Sequence, residues 1–107
     1  MMSAFGLETE DVKTILSVFV AHPEIESVVL YGSRATGHFS PGSDIDLMLS
    51  GKNLTDRTVL DVRVELRSSN VPYMIDVVAK HDIKDENLKR EISKTGKNFY
   101  PQTTPDS

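Results

Sequence analysis

Two aspartates alternate with apolar residues in the run Asp44-Ile45-Asp46-Leu47-Met48-Leu49-Ser50. Successive side chains of a strand point to opposite faces, so a period of two marks a strand with one face on a core. Ile45, Leu47 and Leu49 then point one way, and Asp44, Asp46 and Met48 the other. A carboxylate inside a strand costs free energy unless something compensates it. The run therefore fixes a strand and requires a reason for its acidic face.

Two more strands follow from short apolar runs. Ile25 to Tyr31 is β-branched and bounded by Pro23 and Gly32, as a buried strand would be. Tyr73 to Ala79, opened by Pro72, puts Met74, Asp76 and Val78 on one face. A first helix is marked by Val12, Ile15, Leu16 and Phe19 at helical spacing, with Glu8, Glu10 and Asp11 favourably placed near its start. Pro23 stops it soon after Ala21. Thr55 to Ser68 alternates in part, but its length, a Thr55 cap and a stripe of Val59, Val62 and Leu66 extended by Leu60 and Val64 favour helix. Asp85 to Thr95 is a last helix, with Leu88 and Ile92 on one side and Gly96 as its stop. The order helix, strand, strand, helix, strand, helix gives an α/β (α+β) layer with a small mixed sheet backed by helices.

At 107 residues the chain makes one domain. Residues 1–100 are assigned to it, and the polar, Pro-containing 101–107 to a frayed tail. No apolar run approaches a membrane span, and Met1 to Gly6 does not read as a secretory leader. Cysteine is absent, which removes disulfides, thiolate metal sites and a Cys nucleophile. A cytoplasmic location is the default expectation. The net charge of −4 shows no basic stripe, so direct nucleic-acid binding is not expected.

Asp44 and Asp46 project from one face, roughly 7 Å apart along the backbone. Asp76 joins them if the second and third strands are neighbours. Three such carboxylates repel in a partly buried site, and divalent cations resolve the conflict. An all-oxygen donor set favours Mg²⁺, with Mn²⁺ as a substitute, over zinc. Two ions about 4 Å apart would make a phosphoryl or nucleotidyl transfer site. Tyr31-Gly32-Ser33-Arg34, directly after the first strand, offers a phosphate cradle. Gly32 permits close backbone approach, a helical turn would present free N–H groups, and Arg34 would add a guanidinium.

Each residue also has a plainer reading. Asp44 could cap a turn after Gly42-Ser43, Gly32 could merely end a strand, and Asp76 could pair with Arg63 or Arg67. Arg34 divides between phosphate, a carboxylate and a partner surface. Tyr31 reads as sheet packing. His38 reads as a solvated loop residue, and His22, His38 and His81 share no metal-ligand spacing.

Gly32-Ser33, ten residues, then Asp44-Ile45-Asp46 spells GSx10DxD. With Asp76 on a later strand, the chain resembles the DNA polymerase β-like nucleotidyltransferase superfamily. The stretch VVLYGSRATGHFSPGSDIDLMLS resembles its minimal nucleotidyltransferases (MNT), which pair with helical HEPN proteins in toxin–antitoxin systems. The resemblance implies a nucleotidyltransferase core. It implies that Gly32 and Ser33 hold the β- and γ-phosphates of ATP. Asp44 and Asp46 would bind two metal ions, and Asp76 would bind the catalytic ion and help deprotonate the acceptor hydroxyl. It implies an antitoxin that transfers AMP from ATP to a hydroxyl, a tyrosine for preference, of a HEPN toxin. Two alternatives stand beside it: a non-catalytic module that neutralises the partner by binding, and transfer to a small molecule or RNA. A homo-oligomer stays open.

Overall fold

The computed structural model describes residues 4–40 and 42–101. Four strands form one mixed sheet: β1 (Ser27–Tyr31), β2 (Ile45–Ser50), β3 (Ile75–Ala79) and β4 (Lys97–Tyr100), in the order β3-β2-β1-β4. β1 is antiparallel to β2 and β4, whereas β2 and β3 are parallel. A parallel pair needs a crossover. The helix α3 (Asp56–Arg67) supplies it, and α1 (Thr9–Val20), α2 (Ser33–Thr36) and α4 (Glu86–Thr95) complete the helical set.

Local chemistry sets these boundaries. Thr55 caps α3, its hydroxyl accepting from the Thr58 N–H at 3.2 Å. Asp85 caps α4 by accepting from the N–H groups of Asn87 and Leu88. Gly96 ends α4, but in extended rather than left-handed backbone (φ −62°). A glycine is needed there because a Cβ would lie 2.5 Å from the Ile92 carbonyl oxygen and 2.7 Å from Val29 Cγ1.

The two sheet faces divide the core. Val28, Leu30, Leu47, Leu49 and Val77 face α1 and α3, meeting Val12, Ile15 and Phe19 and also Val59, Val62 and Leu66. Burying each such aliphatic side chain is worth roughly 1.5–3 kcal/mol. On the other face Tyr31 and Met48 pack with Ile83 and Ile92, and Val29, Val78 and Leu88 lie against them. This second cover is thinner, and the face stays open beyond Tyr31.

Two expectations are corrected. Leu60 and Val64 do not extend the buried stripe of α3; they are exposed, because that helix turns the face of Thr58, Val59, Val62 and Leu66 inward. The expected element order ended on the last helix, but Lys97–Tyr100 adds a fourth strand at the edge beside β1. Its single buried residue, Phe99, packs near Phe5 and Phe19, with ring centroids 6.2 and 6.3 Å away. The N-terminal segment is also part of the core, since Leu7 is fully buried. Of the expected tail 101–107, residues 102–107 lie outside the described residues.

Candidate active site

Register builds the site. Tyr31 on β1 is opposite Asp46 on β2, and Asp46 is opposite Asp76 on β3. Directly paired residues share a face, so Tyr31, Asp46 and Asp76 form one row across three strands. Asp44 lies two residues before Asp46. There the Ile45 N–H donates to the Met74 carbonyl at 2.9 Å, carrying the pairing of β2 and β3 to the strand ends. The three aspartates therefore meet at one end of the parallel pair.

Their environments differ. Asp46 is half-buried, whereas Asp44 and Asp76 are exposed. The expectation of three carboxylates in a partly buried site holds for Asp46 alone, because the sheet face opens beyond the Tyr31 row. Burial holds the Asp46 carboxyl above the usual carboxylate range, and the charges of Asp76 and Asp44 push it the same way. Burial likewise pushes the Tyr31 phenol up to about 12, helped by the charges of Asp46 and Asp76.

Gly32 joins the turn after β1 to this row. Its backbone sits at φ +81°, ψ −155°, a conformation reserved for glycine, and a Cβ there would lie 2.6 Å from Asp46 Oδ2. Ser33 then opens α2, whose turn closes as Ala35 and Thr36 donate to the Gly32 carbonyl at 3.1 and 3.3 Å. Gly37, at φ +84°, ends it. Gly32 and Ser33 therefore present backbone beside the aspartates.

Arg34 departs from the expectation of a phosphate contact. It is only 2% exposed. Its Nε donates to the Ser43 carbonyl at 3.1 Å, and a terminal nitrogen donates to the Phe5 carbonyl at 2.8 Å. Its guanidinium carbon lies 4.9 Å from the Phe39 ring centre and 5.0 Å from that of Tyr73. The side chain is spent on the loops around the site. The one-dimensional pattern missed this because Phe5, Phe39 and Tyr73 are far apart in the chain.

The remaining expected residues fall into place separately. Arg63, a rival partner for Asp76, donates instead to the Val77 carbonyl at 2.7 and 3.1 Å. His38 is exposed. His22 lies 2.8 Å from Glu65. His81 stands with Asp56 and Asp82 in an exposed group whose ligand atoms lie within 4.8 Å of one another. Asp56 follows β2 and His81 follows β3, so this group sits at the opposite strand ends from Asp46 and Asp76.

A glycine turn at the end of β1 thus faces a row of carboxylates on a mixed sheet. The family model described as polymerase beta, nucleotidyltransferase matches residues 13–104. The chain belongs to this polymerase β nucleotidyltransferase family and is a nucleotidyltransferase. Comparison with curated proteins returns no match.

Among solved structures, the chain is similar to a toxin–antitoxin with AMP-PNP (TM-score 0.67, 19% identity, covering 85% of this chain and 73% of that one). It is similar to a structure of tri-AMPylated Shewanella oneidensis HEPN toxin in complex with MNT antitoxin (TM-score 0.62, 17% identity, covering 87% and 72%). A MntA–HepT toxin–antitoxin structure is also similar (TM-score 0.61, 17% identity, covering 87% and 72%). At these identities the likeness is one of fold.

Proposed function

We propose that this chain transfers AMP from ATP to a tyrosine hydroxyl of a HEPN-type toxin and so acts as its antitoxin. The observation that carries the reading is the register row of Asp46 and Asp76, with Asp44 beside it and the Gly32 turn against Asp46. The solved structures add support: one similar toxin–antitoxin holds AMP-PNP, and in another the HEPN toxin is tri-AMPylated.

The residues fit divalent metal. The donors are all carboxylate oxygens, and the strand register sets Asp46 and Asp76 side by side. Asp44, Asp46 and Asp76 would hold two Mg²⁺ ions, with Mn²⁺ as a substitute. Bound there, Mg²⁺ supplies charge neutralisation for the triphosphate and lowers the pKa of the acceptor hydroxyl. Gly32 and Ser33 cradle the β- and γ-phosphates with backbone N–H groups and the Ser33 hydroxyl. Asp76, the most open of the row, takes the proton of the acceptor hydroxyl. The hydroxyl oxygen bonds to the α-phosphorus as the bond from that phosphorus to the pyrophosphate oxygen breaks. Pyrophosphate leaves, and AMP stays on the acceptor. Positioning and charge compensation do most of this work.

Among the described residues no helix is long and apolar enough to cross a membrane. A cytoplasmic location, where ATP and such a partner meet, belongs to the same proposal. The test is labelled ATP with the purified chain, Mg²⁺ and a HEPN partner encoded beside it. Label on the α-phosphate should pass to the partner, and label on the γ-phosphate should leave as pyrophosphate. Transfer of γ-label would make the chain a kinase instead. Partner neutralisation without any transfer would leave it a binding module.

A further inference from the structure

We infer that Arg34 is a positioning residue of the active site: it locks together the separate segments that bring Gly32, Asp44 and Asp76 to one place. The inference rests on the nucleotidyl transfer reading of that site and adds a role to a side chain that does not face the phosphates.

Four segments meet at its guanidinium. Arg34 lies in α2, one residue after Ser33 and two after Gly32. Its Nε bond to the Ser43 carbonyl fixes the residue immediately before Asp44. The Phe39 ring, in the same loop, lies 4.9 Å from the guanidinium carbon. The Tyr73 ring lies 5.0 Å away, in the lead-in to β3 three residues before Asp76. The bond to the Phe5 carbonyl anchors all of this to the N-terminal 3-10 turn Ala4–Gly6.

The chemistry suits Arg and no other residue. A planar guanidinium donates in its plane and stacks through its faces, so one group serves carbonyls and rings together. Ser40 and Ser43 reinforce the same loop, with the Ser40 N–H donating to the Ser43 hydroxyl at 2.9 Å. Asp44 and Asp76 themselves are exposed; Asp44 precedes β2 and lies outside its ladder, and Asp76 sits near the start of the edge strand β3, paired on one side only. Their spacing therefore depends on the loops, and the loops depend on Arg34. A lysine would keep the charge but lose the fork and the stack.

The test measures metal binding as well as turnover. Mn²⁺ affinity in the presence of a non-hydrolysable ATP analogue is read by electron paramagnetic resonance for wild type, Arg34→Lys, Phe39→Leu and Tyr73→Leu. The two ring variants remove one stacking face each and leave the charge buried with its carbonyls, so they stay folded if Arg34→Lys does not. The expected result is a fivefold or larger weakening of Mn²⁺ binding in each variant that melts above the assay temperature. The accompanying loss of transfer should fall on kcat with the KM for ATP changed less, because Gly32 and Ser33 remain. Wild-type affinity and kcat in folded Phe39→Leu and Tyr73→Leu would overturn the role of Arg34. Failure of wild type itself to bind Mn²⁺ would overturn the metal-dependent transfer reading first, and this inference with it.

Discussion

A Cβ placed on Gly32 would lie 2.6 Å from Oδ2 of Asp46, so the turn after β1 runs too close to the central carboxylate to leave room for a side chain. The sequence separates the two by more than a dozen residues, and the antiparallel pairing of β1 with β2 brings them together. One substitution tests this junction. Gly32→Ala adds a side chain at φ +81° and drives it into the carboxylate. It should destabilise the fold by about 1–3 kcal/mol and cut transfer by about a hundredfold or more. Thermal unfolding and a single-turnover assay measure the two effects.

Asp46 gives a test with opposite signs. Its folded pKa is raised, so its contribution to stability is fully present below the unfolded pKa and is lost as pH rises through the folded value. At neutral pH, without metal, the ionised group is a net burden. Asp46→Asn should raise the metal-free melting temperature by about 2–5 °C at pH 7, a small shift because the site is partly solvated. The same variant should lose transfer. Mg²⁺ with nucleotide should stabilise wild type and leave the variant unchanged. A lower melting temperature for Asp46→Asn would contradict the electrostatics of the row.

Tyr31 reports on the same row from the other side. Its phenol is pushed up to about 12 by burial and by Asp46 and Asp76. The raised value means this contribution to stability is fully present below the ordinary tyrosine value and is lost as pH climbs from there to about 12. An ultraviolet pH titration should show a late phenol step that is lost in Tyr31→Phe. Asp46→Asn should move the late step to lower pH.

Thr55→Ala separates fold from chemistry. The Thr55 hydroxyl caps α3 at 3.2 Å, on the side of the sheet away from the row. Its loss should cost about 1 kcal/mol with transfer unchanged at temperatures below melting. Chemical denaturation and the transfer assay together check it.

Much of this architecture is legible in the chain because it rests on local periodicity. The alternation around Asp46 and the Val12-Ile15-Phe19 stripe both mark elements that the structure contains, and Thr55 caps its helix as its residue type suggests. Asp44, Asp46, Asp76, Gly32 and Ser33 could be named from spacing and from resemblance. What stayed hidden depends on contacts between distant residues. Lys97–Tyr100 is too short and too polar to show itself as a strand, and only pairing with β1 makes it one. Leu60 and Val64 fit the helical stripe as well as Val59 and Val62 do, and only the packing of α3 decides which are covered. Arg34 reads as a phosphate ligand beside Gly32-Ser33 until Phe5, Phe39, Ser43 and Tyr73 are seen around it.

The most direct test of the account is the intact mass of a HEPN partner after incubation with ATP, Mg²⁺ and either wild type or Asp46→Ala. The account predicts a gain of roughly 329 Da per modified site, the AMP increment of nucleotidyl transfer, with wild type and none with the variant. An unchanged mass with wild type, or an equal gain with Asp46→Ala, would contradict it.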